Sequence, residues 1–233
     1  MNIALILAGG TGVRAKGDKP KQFIDINGTP MLIRTINCFK QVPQIDSICV
    51  VVPKEYITLT ENMMRAYNMS VDHLIAGGKD RRESSYIGVK YLADIFTEED
   101  IVLIHDGARP NVNQRIIIDN INVARRNGAA VTAIRGQDTL LIGDCENNVA
   151  GYVNRENAYM VQTPQSFRLG LIKHAHEKIQ EEIIDGKINP GEITDDSRIA
   201  VLAENKVTIV AGDKFNIKVT TQEDFGIICN IME

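Results

Sequence analysis

The chain has 233 residues, a length that suits a single α/β domain, and its 44% apolar content is enough for a sizeable core. A formal net charge of −4 argues against a protein that coats nucleic acid, so functional basic residues must be clustered locally. There is no apolar run near the roughly 18 residues that span a bilayer, no signal-peptide pattern and no Cys-x-x-Cys pair, so we expect a cytoplasmic protein without disulfides or zinc.

The first predicted element is a buried strand, because residues 3–8 form an apolar run bounded by glycines. Gly9, Gly10 and Gly12 then let the backbone turn tightly and approach a ligand closely. Successive amide groups in such a turn can form an anion-binding concavity. A group of cations follows within a few residues: Arg14, Lys16, Lys19 and Lys21. Glycine amides beside mobile cations favour a site for a triphosphate.

This stretch has three other interpretations. An ordinary strand-to-loop turn with solvated lysines stays open on the glycines alone. Residues 10–15 loosely match a dinucleotide-binding fingerprint, but Gly17 and Pro20 interrupt the helix that it requires. The next strand also ends at Val52 without an acidic residue at its tip. A P-loop fails because no Gly-Lys-Ser/Thr closes the spacing.

Strand and helix signals then alternate along the chain. Apolar runs predict strands at 48–52, 71–76, 101–104 and 129–134, and amphipathic patterns predict helices at 31–39, 56–67, 85–95 and 115–126. Further helices are predicted at 169–182, 195–203 and 222–231, and further strands at 207–210 and 216–219. This rhythm predicts an α/β fold, a doubly wound and mostly parallel sheet with ligands at the carboxyl ends of its strands.

The rhythm stops at residues 138–153. Alternating segments at 138–142 and 149–153 flank a polar turn and predict a β-hairpin. An isolated hairpin is marginal in water, so this one is predicted to be a protruding arm that packs on a partner. A solvated hairpin is the alternative. The rest of residues 1–233 is treated as a single domain.

Two segments carry a family resemblance. Residues 8–14 (Ala-Gly-Gly-Thr-Gly-Val-Arg) and 20–23 (Pro-Lys-Gln-Phe) resemble the signature of nucleotidyltransferases that activate sugar and polyol phosphates. The Pro-Lys-Gln form resembles the cytidylyltransferases acting on 2-C-methyl-D-erythritol 4-phosphate or ribitol 5-phosphate. Later segments match in the same order, and the resemblance covers nearly the whole chain, from Ala4 to Asp224. The resemblance implies a Rossmann-like nucleotidyltransferase fold, a hairpin arm that embraces the other subunit of a homodimer, and Mg²⁺ as cofactor.

Departures from the family pattern are found at Ala15, Gly107 and Asn154. They remove no charge assigned to catalysis. They bear on the identity of the substrate more than on the type of reaction.

Catalysis is assigned to Arg14, Lys21 and Lys218, the last by its match to a family motif at residues 216–220. Nucleotidyl transfer builds negative charge on the non-bridging oxygens and on the leaving pyrophosphate, where positioned cations act on the transition state. The acceptor would be a phosphate monoester, whose second pKa is roughly 6, so it is already an anion at neutral pH. The sequence therefore needs no obvious general base.

Asp106 is the predicted metal ligand. It follows an apolar strand, where a carboxylate is otherwise costly, and Mg²⁺ usually binds one or two carboxylates together with phosphate oxygens. Pairing with Arg109 or capping of a turn is the alternative. His105 is assigned no role.

The resemblance implies two further groups of site residues. The nucleotide side would comprise Ala8, Gly9, Gly10, Gly12, Gly78, Lys79, Arg81, Ser84 and Gly107. The acceptor side would comprise Thr139, Arg155 and Thr163, with Thr139 reaching from the arm so that the site is completed across the dimer. Residues 193–197 match another family motif, for which a helix N-cap is a compatible local interpretation.

Together these features predict a Mg²⁺-dependent cytidylyltransferase: CTP plus a polyol phosphate gives a CDP-polyol and pyrophosphate, with no nucleic-acid or membrane partner. Residues 105–110 and 194–197 resemble the methylerythritol-phosphate branch, which we favour. Residues 7–10 and Phe23 resemble the ribitol-phosphate branch, which would serve cell-surface polymer synthesis. Two alternatives from other classes are a nucleotide-binding regulator without catalysis and an NAD-dependent reductase.

Overall fold

The computed structural model describes residues 1–9 and 20–232 of the chain. The strands are β1 (Asn2–Leu7), β2 (Asp25–Ile26), β3 (Thr29–Pro30), β4 (Ser47–Val52), β5 (His73–Ala76), β6 (Ile101–Asp106), β7 (Ala129–Arg135), β8 (Leu140–Gly143), β9 (Val149–Val153), β10 (Tyr159–Arg168) and β11 (Thr208–Ala211). The helices are α1 (Met31–Lys40), α2 (Ile57–Ala66), α3 (Arg81–Ala93), α4 (Gln114–Asn127), α5 (Leu169–Ile184), α6 (Asp196–Leu202) and α7 (Gln222–Ile231). None of these helices is long and apolar enough to cross a membrane.

A seven-stranded sheet lies at the centre, in the order β11-β7-β10-β6-β1-β4-β5. Strand β1 pairs in parallel with β4 and β6, and the β4–β5 and β7–β11 pairs are parallel as well. Strand β10 runs antiparallel to both of its neighbours, β6 and β7. The mostly parallel sheet predicted from the sequence is therefore confirmed.

Helices cover both faces of this sheet. Ala4 and Ile6 of β1 face an apolar layer that includes residues of α1 and α4. Ile3 and Leu5, which point to the opposite face, share a second layer with residues of α3 and α5. Every residue of β1, β4 and β6 is buried. Burial on two faces explains why these strands are continuous apolar runs in the sequence.

One predicted strand is wrong. Residues 216–219 form no strand, because isolated bonds rather than a ladder hold this segment. Asn216 is fully buried, and its side-chain amide donates to the Thr163 carbonyl over 2.8 Å. The Val219 amide donates to the Ala108 carbonyl over 2.9 Å. The segment is thereby fixed beside the end of β6, where Lys218 is placed.

Strand β10 was not predicted from the sequence. Pro164 lies in its middle, and proline argues against a central strand because it lacks an amide donor. The ladder between β10 and β7 shifts register between Val161 and Gln165. This bulge accommodates the proline and lets the strand enter the centre of the sheet.

The predicted hairpin is formed by β8 and β9, which make a separate two-stranded sheet. Its apolar side chains are exposed in the single chain, with Leu141 at 53%, Ile142 at 55% and Tyr152 at 70%. Exposure on this scale is unusual for large apolar side chains that cluster together. The role of the hairpin as a dimerisation arm stays a prediction.

Candidate active site

The loops that follow β1 and β6 are held side by side at the carboxyl edge of the sheet. The Gly107 amide donates to the Leu7 carbonyl over 2.8 Å, and the Ala8 amide donates to the Val51 carbonyl over 2.8 Å. A Cβ on Gly107 would lie only 3.1 Å from the Leu7 carbonyl oxygen, so glycine permits this close approach. The ends of three neighbouring strands therefore meet at one place, as the α/β rhythm predicts.

A cavity of about 110 Å³ lies at this edge. Its lining residues come from five separate parts of the chain: Leu7, Gly9, Lys21, Arg81, Ser84, Asp106, Ala108 and Lys218. Most of them are predicted site residues, including the proposed metal ligand and two of the three proposed catalytic cations. Gly10, Gly12 and Arg14, which were also predicted to act here, lie outside the described residues.

Asp106 is the focus of the charged contacts. Its carboxylate accepts from Arg81 Nε over 3.0 Å, and Lys218 Nζ lies 2.9 Å from its second oxygen. Arg109 Nε is 3.7 Å from that same oxygen. Burial alone would raise the pKa of this carboxyl, but Arg81 and Lys218 outweigh it and hold the pKa well below its usual range. Asp106 is therefore an anion at every physiological pH.

The two lysines reach the cavity from opposite ends of the chain. Lys21 begins a short 3₁₀ helix that is anchored by Gln22, whose buried side chain donates to the Ala8 carbonyl over 2.9 Å. Lys21 Nζ donates to the Val219 carbonyl over 3.1 Å. Lys218, one residue before that carbonyl, keeps 37% of its side chain exposed. Each ammonium is thus held at the rim of the cavity, where an incoming anion could contact it.

Arg81, the first residue of α3, bridges two carboxylates. While its Nε contacts Asp106, its Nη1 donates to Asp196 over 2.9 Å. Burial lowers the pKa of this guanidinium, but Asp196 and Asp106 together raise it above the ordinary value. The helix start is fixed by Asp80, whose side chain accepts from the Glu83 amide over 2.7 Å. Arg81 is accordingly a fixed cation rather than a mobile surface side chain.

The second glycine loop, residues 77–79, packs against the start of α3. The Gly78 amide donates to the Ser84 hydroxyl over 3.1 Å, and the Lys79 amide donates to the Glu83 carboxylate over 2.9 Å. A Cβ on Gly77 would lie 2.7 Å from Ser84 Oγ. A Cβ on Gly9 would lie 3.1 Å from the same atom. The Ser84 hydroxyl therefore sits between both glycine loops, and side chains at either glycine would displace it.

Thr163 lies next to Asp106 and is only 3% exposed. The Asp106 amide donates to its hydroxyl over 3.1 Å, and the same oxygen is 3.0 Å from His105 Nδ1. His105 Nε2 lies 3.1 Å from the Arg109 carbonyl, which can only accept, so Nε2 carries the proton and Nδ1 accepts from Thr163. Burial lowers the pKa of His105 to about 4, which keeps the ring neutral. The hydroxyl predicted to bind the acceptor is thus already engaged in positioning Asp106.

The other acceptor residues are not brought to this cavity. Thr139 precedes β8 and Arg155 begins a short 3₁₀ helix after β9, and both side chains are exposed. Among the described residues, neither lines the cavity around Asp106. A single chain therefore brings together Gly9, Arg81 and Ser84 of the predicted nucleotide side, whereas of the predicted acceptor residues only Thr163 lies near Asp106.

Sequence reasoning missed Asp196 as a site residue. Residues 193–197 were matched to a family motif and to a helix N-cap, but no site role was given to Asp196. The N-cap is Asp195, whose side chain accepts from the Arg198 amide over 2.9 Å. Asp196 points the other way, is fully buried and contacts Arg81. The signal that could have revealed it is the second acidic residue in a row, since one carboxylate is enough to cap a helix.

Asp106 could hold Mg²⁺ only together with ligands from outside the chain. Within residues 1–9 and 20–232, no cluster of three or more His, Cys, Asp or Glu side chains could bind a metal. The Asp106 carboxylate is ionised and lines the cavity. Its Oδ1 accepts from Arg81 while Oδ2 lies near both Lys218 and Arg109, so Oδ1 in particular retains capacity for a further partner. One anionic carboxylate in a cationic cavity fits Mg²⁺ that arrives bound to phosphate oxygens.

The arrangement as a whole is suited to binding polyphosphates. Three cations, at positions 21, 81 and 218, line the cavity with a single carboxylate, so the local charge is positive although the chain is acidic. Lysine and arginine are the residues that bind phosphate oxygens by charge-assisted hydrogen bonds. The cavity can therefore offset part of the charge of a triphosphate and stabilise charge that develops on it.

Comparison with known proteins places the whole chain in one group. The family model described as IspD, 2-C-methyl-D-erythritol 4-phosphate cytidylyltransferase, matches residues 2–233. A 2-C-methyl-D-erythritol 4-phosphate cytidylyltransferase of Clostridium perfringens is 39% identical, over 95% of this chain and 94% of that protein. A ribitol-5-phosphate cytidylyltransferase of Streptococcus agalactiae is 33% identical, over 97% and 92%.

Solved structures agree with this grouping. The 4-diphosphocytidyl-2C-methyl-D-erythritol synthase of Anaerococcus prevotii superimposes with a TM-score of 0.82 at 29% identity, and the match covers 99% of this chain and 97% of that one. The 2-C-methyl-D-erythritol 4-phosphate cytidylyltransferase of Francisella tularensis gives a TM-score of 0.78 at 27% identity, covering 97% of each chain.

Proposed function

The chain belongs to the 2-C-methyl-D-erythritol 4-phosphate cytidylyltransferase family, and from that premise we propose that it transfers the cytidylyl group of CTP to 2-C-methyl-D-erythritol 4-phosphate. The predicted enzyme class, a nucleotidyltransferase, is confirmed by the family match. The observation that carries the proposal is the cavity that Lys21, Arg81 and Lys218 line together with Asp106, at the carboxyl ends of β1 and β6.

In the proposed reaction an oxygen of the acceptor phosphate attacks the α-phosphorus of CTP. The new phosphorus–oxygen bond forms while the bond to the bridging oxygen of the β-phosphate breaks, and its electron pair leaves with pyrophosphate. The acceptor oxygen is already anionic, so no proton has to be removed. Lys21 and Lys218 would stabilise the charge that develops on the transferred and leaving phosphates. Arg14 is proposed to act with them.

The nucleotide is proposed to lie along the two glycine loops. Gly9 and the Ser84 hydroxyl line the same cavity as the lysines, so the triphosphate would enter between the loop after β1 and the start of α3. The Gly78 and Lys79 amides, which now donate to side chains of α3, would be available to a base that displaces those contacts. Backbone donors of this kind recognise a base edge with defined geometry.

Mg²⁺ is the proposed cofactor, and Asp106 is the protein group that would hold it with phosphate oxygens of CTP. When bound, the ion would neutralise charge on the triphosphate and its leaving group. Arg81, Arg109 and Lys218 keep the Asp106 carboxyl ionised, which is the state that a hard cation requires.

Pyrophosphate release tests this function directly. Each of the four nucleoside triphosphates would be incubated with the protein, Mg²⁺ and a panel of polyol phosphates. We expect release with CTP and 2-C-methyl-D-erythritol 4-phosphate. Release with every nucleotide, or with none, would contradict the proposal. No thermal shift with nicotinamide cofactors is expected.

Ribitol 5-phosphate is the second candidate acceptor. The observation that favours it is the Streptococcus agalactiae relative of that name, which is 33% identical over nearly the whole chain. The ratio of kcat/KM for the two acceptors, measured in one mixture, would decide between them. We expect the ratio to favour 2-C-methyl-D-erythritol 4-phosphate, in line with the higher identity of 39% to enzymes named for it.

We further propose that the protein is a homodimer joined by the hairpin. The proposal is supported by the exposed apolar side chains of β8 and β9, which a second copy of the chain would cover. In a two-fold dimer each hairpin would lie at the other subunit, which would bring Thr139 to the acceptor side of the partner's site.

The proposed location is the cytoplasm. The proposed substrate CTP is a metabolite of that compartment, and the cysteines at positions 38, 49, 145 and 229 are all free thiols. Free thiols are the usual state of cysteine in a reducing compartment.

A further inference from the structure

Asp196 contacts the site without lining its cavity. It lies in the first turn of α6, and its Oδ2 accepts from Arg81 Nη1 over 2.9 Å. Through Nε the same guanidinium contacts Asp106 over 3.0 Å. One rigid, planar group therefore connects a fully buried carboxylate to the proposed metal ligand.

Asp196 is itself held from two other sides. Its second oxygen accepts a short hydrogen bond from the Ser85 hydroxyl, and His176 Nε2 lies 3.4 Å from that oxygen. Tyr86 stacks on the His176 ring, with a centroid distance of 5.6 Å and an interplanar angle of 27°. Burial would raise the pKa of the Asp196 carboxyl, but Arg81 and His176 hold it below the usual range. The carboxylate is thus a fixed anion behind Arg81.

The geometry of Arg81 matters because guanidinium can contact a carboxylate in two ways. When nothing competes, it donates through two parallel bonds and occupies both oxygens of the partner. Here Nε donates to Asp106 and Nη1 donates to Asp196, and in the described part of the chain no hydrogen bond joins Nη2 to Asp106. The Oδ2 atom of Asp106 is contacted instead by Lys218, with Arg109 Nε farther away at 3.7 Å, and the flexible lysine side chain can move when a ligand enters.

We propose that Asp196 is a positioning residue for the proposed transfer reaction: it turns the Arg81 guanidinium so that one bond rather than two reaches Asp106. The carboxylate of Asp106 then keeps an oxygen available to the metal–triphosphate complex. This inference rests on the proposed function, in which Asp106 holds Mg²⁺ with CTP. Asp196 touches no substrate and acts only through Arg81.

The substitution Asp196→Asn tests the proposal, because it keeps the shape of the side chain and removes its charge. Arg81 should then turn both donors to Asp106 and compete with the metal. We expect the Mg²⁺ concentration for half-maximal activity to rise about tenfold, as for the loss of a hydrogen bond to a charged group. Most of kcat should return at saturating Mg²⁺. The Kd of CTP measured by calorimetry should rise with Mg²⁺ present and stay unchanged without it.

Asp195→Asn is the matched control. It makes the same chemical change one residue away, at the helix N-cap, where asparagine caps as well as aspartate. The Mg²⁺ dependence of this variant should equal that of the wild type. A similar shift in both variants would overturn the proposal, because it would reflect the loss of negative charge in general.

Other outcomes are equally decisive. A folded Asp196→Asn variant with wild-type dependence on Mg²⁺ would overturn the positioning role. If that variant does not fold, Ser85→Ala replaces it, since this change removes one donor to Asp196 and keeps every charge. Ser85→Ala should shift the Mg²⁺ requirement in the same direction by about twofold to threefold, and no shift would overturn the proposal. Failure of the wild type to release pyrophosphate from CTP would instead reject the proposed function.

Discussion

The carboxyl edge of the sheet and the β8–β9 hairpin differ in how their side chains are paired and buried. Around Asp106, every described charged side chain has a charged or backbone partner, and the carboxylate is almost completely buried. On the hairpin, large apolar side chains such as Ile142 and Tyr152 are mostly exposed. The described charges of the first region are paired within one chain, whereas the second region exposes apolar surface to water.

This difference separates the two halves of the proposed reaction. The nucleotide half is proposed to depend on charges that a single chain already arranges. The acceptor half is proposed to depend on Thr139 and Arg155, which a single chain leaves exposed and outside the cavity. The comparison therefore predicts that changes at the edge act within one subunit and that changes on the hairpin act between subunits.

The largest effect is expected from Asp106→Asn. The variant loses the charge that Arg81 and Lys218 face, and with it the proposed Mg²⁺ ligand. Neutralising a ligand weakens a hard-cation site directly, and we expect turnover to fall about 1000-fold. Turnover at several Mg²⁺ concentrations would be compared with the circular dichroism of the same sample. Retained activity with an unchanged Mg²⁺ dependence would place the metal elsewhere.

Lys21→Ala should have the second largest effect. Removal of one charge that contacts the transition state costs about 2.7–4 kcal/mol, so turnover at saturating CTP should fall at least about 100-fold while the fold survives. Lys187→Ala is the matched control, because Lys187 is an exposed lysine paired with Asp185 on the surface. Near-normal turnover in Lys21→Ala would remove this residue from catalysis.

A smaller loss of activity is expected from Thr163→Val, and this variant tests whether Thr163 positions Asp106 or contacts the acceptor. The change removes the hydroxyl that accepts from the Asp106 amide and donates to His105, and leaves both buried groups without that partner. If Thr163 positions Asp106, kcat should fall about tenfold with little change in the KM of the acceptor. Thr163→Ser, which keeps the hydroxyl, should be close to wild type. A rise in the acceptor KM alone would instead indicate direct contact with the acceptor.

The smallest change in activity is expected when two inactive variants are mixed, and this experiment tests the role of the hairpin. Thr139→Arg should block the acceptor side, and Lys21→Ala should disable the nucleotide side. In a mixed dimer one site would carry both lesions and the other neither, so random pairing of the two inactive proteins should restore about a quarter of wild-type activity. Pyrophosphate release after subunit exchange measures this. Light scattering that shows a monomer, or no recovery despite proven exchange, would confine the site to one chain.

Much of the fold could be predicted because it depends on local pattern. The unbroken apolar runs of β1, β4 and β6 follow from burial on two faces, and the helix periodicities follow from burial on one. The glycine loops and Asp106 were found because they directly follow such strands. Strand β10 was missed because Pro164 breaks the local pattern, and the bulge that tolerates it is set by pairing with β7.

The sequence by itself determined the α/β class, the family and the edge of the sheet where the site lies. It did so because periodicity, glycine loops and motif order are properties of neighbouring residues. Only the tertiary structure decided that Arg81 joins Asp106 to Asp196, although Asp196 is 115 positions from Arg81 along the chain. It also decided that Thr163 contacts Asp106. Contacts at such separations depend on the packing of whole elements, and the spacing of residues carries no signal for them.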